Sequence, residues 1–177
     1  MLRAILIFGV IAGLAIACTM FPLIVFAGGH GGSWALTGYL IMLVALSLIF
    51  VAVKRHRDLQ LGGVIKFLPA FLMGLGISFV SGIVYVIGWE ITLALTHYSF
   101  AGDFAQAAIE AARAKGAPQA EIDELAAQMA EFTEMYANPL YRLPMTFSEI
   151  FPVGLLVSLV SAGLLRNRRF LPAQTAT

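Results

Sequence analysis

Hydrophobic residues fall into four long runs, separated by shorter stretches that are richer in polar side chains and glycine. The runs cover residues 4–27, 34–53, 67–95 and 144–165. An α-helix rises about 1.5 Å per residue, so about 20 residues cross the roughly 30 Å apolar layer of a bilayer. The pattern therefore predicts an all-α integral membrane protein with four transmembrane helices, numbered 1 to 4 in chain order.

Residues 96–143, between the third and fourth runs, form an acidic, alanine-rich insert. In its second half, apolar side chains recur at steps of three and four, as on one face of a helix. Gly116 suits the end of one helix and Pro118 the first turn of the next. We therefore predict a helical hairpin, residues 103–115 and 119–136, between helices 3 and 4. Its apolar face packs on the other arm, on the bundle or on another protein; it comprises Ile122, Leu125, Met129, Phe132 and Tyr136.

Composition and charge distribution support a membrane protein and predict its orientation. With 60% hydrophobic and only 12% charged residues, the chain has too little polar surface for a water-soluble globule. Of the eleven basic residues, eight fall on one side of the predicted topology and three on the other. The positive-inside rule places both termini in the cytoplasm and makes the hairpin extracytoplasmic. The eight are Arg3, Lys54, Arg55, Arg57, Lys66, Arg166, Arg168 and Arg169.

The whole chain, residues 1–177, is predicted as a single four-helix transmembrane domain that contains the insert, and residues 170–177 as a loose C-terminal tail. Small residues at a spacing of four occur in three of the runs, where they allow close helix packing, either within one chain or between two copies. They are Gly9, Gly13 and Ala17; Gly74, Ser78 and Gly82; and Gly154, Ser158 and Ala162.

Two acidic residues, Glu90 and Glu149, lie within the apolar runs at similar predicted depth. An intramembrane carboxyl group is costly unless it is paired, protonated or hydrated, so this pair is the candidate intramembrane polar site. His97 and Arg142 are the nearest candidate partners in the sequence. Two carboxylates and a histidine could bind a divalent metal, but the spacing predicts no metal site, and the alternative is a hydrogen-bonded or salt-bridged clamp.

Other residues of the candidate site flank these carboxyl groups. Tyr85 precedes Glu90 by about one and a half helix turns, and Ser148 directly precedes Glu149. Pro152 cannot donate to the carbonyl of Ser148, so it predicts a helix kink with a free backbone acceptor beside Glu149. The sequence contains no P-loop, nucleophile elbow, HExxH motif or dinucleotide fingerprint, so we predict no catalytic residues and no cofactor.

Several segments resemble one known family. They are residues 38–51 with the basic 54–58 and 61–65, the sequence YVIGWE at 85–90, and MTFSEIFPVG at 145–154. Together they are similar to the signatures of the bacterial domain-of-unknown-function family 4199, over nearly the whole chain. The resemblance implies a four-span protein of the bacterial inner membrane. It implies no activity and no catalytic residue.

Three functions follow as hypotheses. The first is a non-enzymatic structural or accessory bundle that binds membrane lipids and either a second copy or another membrane protein. The second is a small proton- or cation-coupled carrier, or a channel-like protein, that uses Glu90 and Glu149. The third is a metal-dependent membrane enzyme. Nucleic-acid binding is not expected, because the basic residues flank the membrane spans.

Overall fold

The computed structural model describes residues 1–27 and 32–173, which form seven α-helices and no β-strand. In chain order these are α1 (Leu2–Ala27), α2 (Gly32–Leu46), α3 (Leu48–Gln60), α4 (Phe67–Leu95), α5 (Phe100–Ala114), α6 (Gln119–Ala137) and α7 (Pro139–Leu165). Four segments are long and apolar enough to cross a membrane: Leu2–Leu23, Leu36–Gln60, Phe67–Leu95 and Pro139–Leu165. The predicted all-helical fold with four apolar spans is confirmed.

Two helices extend beyond the predicted apolar runs. The second span consists of α2 and α3, which meet at Ser47, and it continues through the basic cluster as far as Gln60. At the other end of the molecule, α7 starts before its apolar run because Asn138 caps it by accepting a hydrogen bond from Leu140 N at 3.0 Å. Pro139 occupies the first helical position, where its missing N–H costs nothing.

Helix α4 lies at the centre of the bundle and runs parallel to α1. A Cβ atom added to Gly9 would lie 2.6 Å from Val80 Cβ, and one added to Gly13 would lie 2.6 Å from Val84 Cβ. The contact positions advance together along both helices, which defines the parallel register. Small residues at this interface therefore bring the two backbones close together.

A neighbouring face of α4 packs antiparallel against α7. Gly74 faces Ser158, and Gly154 faces Ser78, whose Oγ would lie 2.5 Å from an added Cβ atom. The two serine Oγ atoms are 3.4 Å apart. The small residues of α1, α4 and α7 thus support the prediction of packing within one chain.

Helices α5 and α6 form a hairpin against the C-terminal end of α4. The turn between them contains Gly116 with φ 74°, a left-handed conformation that glycine adopts without steric cost. Phe104 contacts Phe132, with ring centroids 5.9 Å apart, and Trp89 of α4 contacts Phe100 at 4.9 Å. The apolar face of α6 therefore packs on α5 and on the end of α4.

We expect Gly13→Ala to destabilise the protein, because the new Cβ would lie 2.8 Å from the backbone carbonyl oxygen of Ser81 as well as against Val84. Overpacking of this kind costs about 1 to 3 kcal/mol. The matched control is Gly163→Ala, because an added Cβ there meets no atom within 4 Å in the described part of the chain. Thermal unfolding in detergent should give a lower Tm for the first variant alone; equal values would contradict the α1–α4 packing.

Candidate functional site

The antiparallel register of α4 and α7 brings polar residues together where the hairpin joins the bundle. Helical spacing places Tyr85 and Trp89 on one face of α4, with Glu90 at the side of that face, and it places the three α7 residues on one face of α7, because residues three and four apart are neighbours on a helix. The C-terminal part of α6 completes the group. This junction cluster comprises Tyr85, Trp89 and Glu90 of α4, Tyr136 of α6, and Arg142, Thr146 and Glu149 of α7.

A bidentate ion pair between Glu90 and Arg142 joins α4 to α7. Arg142 Nε donates to Glu90 Oε1 at 2.7 Å, and Nη2 donates to Oε2 at 2.7 Å. The Arg142 side chain is only 4% exposed, whereas that of Glu90 is 27% exposed. Two parallel charge-assisted hydrogen bonds fix both distance and orientation, so this pair acts as a clamp between the helices.

Arg142 also holds the end of α6. Its Nη1 donates to the carbonyl oxygen of Tyr136 at 3.0 Å and to that of Ala137 at 3.4 Å. These carbonyls belong to the last turn of α6, where helix geometry leaves such acceptors without a partner. The guanidinium group further lies 5.3 Å from the ring centroid of Tyr98, within the range of a cation–π contact. One side chain thus connects α4, α6 and the segment between α4 and α5.

The Tyr136 hydroxyl group accepts a hydrogen bond from Trp89 Nε1 at 2.7 Å. Both side chains are buried. Burial raises the pKa of the Tyr136 hydroxyl group above its ordinary value, because the phenolate would lose its hydration there. The hydroxyl group therefore stays neutral around pH 7, and this hydrogen bond ties the hairpin to α4.

Glu149 occupies a different environment from Glu90. It is half-buried, and its carboxyl group lies beside the hydroxyl group of buried Tyr85. Within the part of the chain that the structure describes, no cation lies within ion-pair distance of Glu149. The two carboxyl groups therefore have different neighbours: Glu90 pairs with Arg142, whereas Glu149 lies beside the Tyr85 hydroxyl group.

The structure does not bring His97, Ser148 or Pro152 into the cluster. Because α4 ends at Leu95, His97 lies in an exposed turn with φ 53°, off the helical face that carries Glu90. Ser148 is exposed and donates to Met145 O at 2.7 Å. Pro152 is also exposed, and α7 continues through it. In residues 1–27 and 32–173, no group of three histidine, cysteine or acidic residues is placed to hold a metal ion.

A second polar cluster lies at the opposite end of α7, around Arg57. Its side chain is fully buried and donates to the carbonyl oxygens of Phe170 at 3.0 Å and Leu171 at 2.5 Å. It also donates to Leu165 O at 3.4 Å, and its Nε donates to Asp58 Oδ1 at 2.7 Å. Its place in the basic stretch 54–58 predicts only a topology-setting role for Arg57. The sole signal in the sequence is Asp58, the one acidic residue in the basic stretch.

Residues 170–177 are predicted as a loose C-terminal tail, but the first of them contact the bundle. Phe170 packs edge-on against Phe50, with ring centroids 6.3 Å apart, and its carbonyl is held by Arg57. The first residues of the segment therefore attach to the bundle. Residues 174–177 lie outside the described part of the chain.

Comparison with known proteins gives a single kind of match. A family model described as "Protein of unknown function (DUF4199)" matches residues 7–167, which include both polar clusters apart from the C-terminal acceptors of Arg57. No curated protein and no solved structure matches the chain. The function of the chain must therefore be inferred from the geometry of the two clusters.

Glu90→Gln should lower the stability of the protein, because it leaves the buried Arg142 cation without a counter-charge. Loss of one partner of such a pair costs about 2 to 5 kcal/mol. Glu134→Gln is the matched control, since Glu134 is an exposed acid on α6. Thermal unfolding in detergent should show a clearly lower Tm for Glu90→Gln only; identical melting of the two variants would refute the clamp.

Arg57→Gln should also destabilise the protein, whereas Arg55→Gln, a substitution of an exposed neighbour, should not. Removal of residues 170–177 deletes two of the carbonyl acceptors of Arg57. Substitutions that remove the same interaction are not additive. The loss of Tm caused by Arg57→Gln should therefore be smaller in the truncated chain, and an undiminished loss would show that Arg57 acts elsewhere.

Proposed function

We propose that the chain, which belongs to the DUF4199 family of proteins of unknown function, is a non-enzymatic accessory protein of the bacterial inner membrane. In this proposal its α5–α6 hairpin lies outside the cytoplasm and binds a partner protein. The observation that carries the proposal is the Arg142 side chain, which pairs with Glu90 of α4 and donates to the last carbonyls of α6, and so ties the hairpin to the apolar bundle.

The outer surface of the bundle supports a location in a membrane. Large apolar side chains on the four apolar spans are exposed, and Val44, for example, is 72% exposed. An apolar surface of this extent is unfavourable in water and suits lipid chains. The basic residues at the ends of α3 and α7 support cytoplasmic termini, because the positive-inside rule applies to such clusters next to membrane spans.

The hairpin supports a role in binding a partner. Its exposed charged side chains are mainly acidic, with two basic residues, Arg113 and Lys115, in the same two helices and their turn. An acidic surface favours a partner with a basic surface, because complementary charge speeds association and selects partners. Arg142 and Trp89 hold the base of the hairpin against the bundle. The exposed acids are Asp103, Glu110, Glu121, Asp123, Glu124, Glu131 and Glu134.

Glu149 supports a second candidate function, that of a small proton- or cation-coupled carrier. It is a carboxyl group within a span, beside the Tyr85 hydroxyl group and without a cationic partner in the described residues. Intramembrane acids of this kind commonly mark proton or ion pathways. Glu90 is less suited to transport, because Arg142 engages both of its oxygens.

Crosslinking and purification from native membranes distinguish the two functions. The hairpin variant replaces Asp123, Glu124, Glu131 and Glu134 with their amides, which removes charge from exposed positions and should leave the Tm unchanged. We expect a partner at constant stoichiometry with the wild type and with Glu149→Gln, and its loss from the hairpin variant. Retention of the partner by the hairpin variant would contradict the proposal. Proton uptake by reconstituted vesicles that disappears with Glu149→Gln would favour the carrier.

A further inference from the structure

We infer that a groove beside α3 binds the headgroup of an anionic phospholipid. The groove is a shallow, open recess of about 320 Å³ on the surface of α3, near the C-terminal end of that helix. This α3 groove is lined by Phe50, Val51, Lys54, Arg55, Asp58 and Leu59. The inference rests on the proposed location in a membrane, but not on the partner-binding role of the hairpin.

The charges in and beside the α3 groove leave it positive. Asp58 is fully engaged, because one oxygen accepts from Lys54 Nζ at 2.6 Å and the other from Arg57 Nε at 2.7 Å. Arg55 is exposed, and in the described residues no carboxylate lies within ion-pair distance of it. The charged residues that line the groove, Lys54, Arg55 and Asp58, carry an excess of one positive charge, which Arg55 presents to a phosphate group.

The apolar residues that line the α3 groove favour a lipid over a free anion as its ligand. Val51, Arg55 and Leu59 follow one another at steps of four and so lie on one face of α3. Val51 is 47% exposed, one turn closer than Arg55 to the middle of the span Leu36–Gln60. A phosphodiester at Arg55 and Lys54 can therefore extend an acyl chain over Val51 towards the bilayer interior.

A local site differs from the general attraction of basic residues to an anionic membrane. Near such a surface each lysine or arginine contributes about 1 kcal/mol, whatever its surroundings. That general effect would make Arg168, an exposed basic residue beyond α7, equivalent to Arg55. The α3 groove instead predicts saturable binding that depends on Arg55 and on the apolar side chain of Val51.

The test measures binding of phosphatidylglycerol to the full chain in a neutral detergent, by native mass spectrometry and by the shift in Tm. Phosphatidylcholine and inorganic phosphate serve as comparison ligands. We expect saturable binding of phosphatidylglycerol only. Arg55→Gln should weaken it by about fivefold or more, which corresponds to the loss of one cationic contact. Val51→Ser should also weaken binding, whereas Arg168→Gln should not.

Each contrary result has a distinct meaning. Equal weakening by Arg55→Gln and Arg168→Gln would overturn the α3 groove as a site and leave only general surface attraction. Stabilisation by inorganic phosphate equal to that by phosphatidylglycerol would replace the lipid site with a free-anion site. Either result would leave co-purification of the hairpin partner unchanged, whereas absence of the chain from the membrane fraction would refute the proposed function itself.

Discussion

The close approach of α4 to α1 and α7 rests on small side chains at both interfaces. In lipid, burial of apolar surface gives helices little reason to associate, so packing contacts and interhelical hydrogen bonds must supply the stability. Ser81 Oγ donates to Gly9 O at 3.0 Å, and the Oγ atoms of Ser78 and Ser158 lie 3.4 Å apart. These contacts set the register of three helices. A shift of α7 along α4 would separate Glu90 from Arg142, so the polar junction depends on the packing of glycine and serine in the bundle.

Two buried arginines perform the same task at opposite ends of α7. Arg142 pairs with Glu90 and donates to the last carbonyls of α6, while Arg57 pairs with Asp58 and donates to the last carbonyl of α7. A helix C-terminus carries unpaired carbonyl groups and a partial negative charge, so a guanidinium group with several donors satisfies both. Each arginine also has a carboxylate that balances its charge, which makes its burial tolerable. The helix ends are therefore held by side chains from other elements.

The sequence allowed prediction of those features that depend on local spacing. The spans, the hairpin and the small-residue motifs all follow from the spacing of residues along the chain. Glu90 and Arg142 are candidates because each is a charged residue within or directly beside an apolar run. The role of Arg57 could not be predicted, because its acceptors are backbone carbonyls more than 100 positions away, such as Phe170 O, 113 positions on. Every residue has a backbone carbonyl group, so the residue type does not reveal which carbonyl accepts the hydrogen bond. His97 was misplaced for a different reason: the helical spacing from Glu90 no longer applies beyond Leu95.

Glu90 and Glu149 lie in the same α4–α7 interface but have different environments. A carboxylate whose two oxygens both accept from a buried guanidinium group is held in one position, because its loss would leave the cation without a counter-charge. Glu149 has only the Tyr85 hydroxyl group as a described partner, so a change in its protonation would break no ion pair. Among the described residues, Glu90 and Arg142 keep α4, α6 and α7 in the arrangement that places Glu149 beside Tyr85, and neither Glu149 nor Tyr85 takes part in that ion pair.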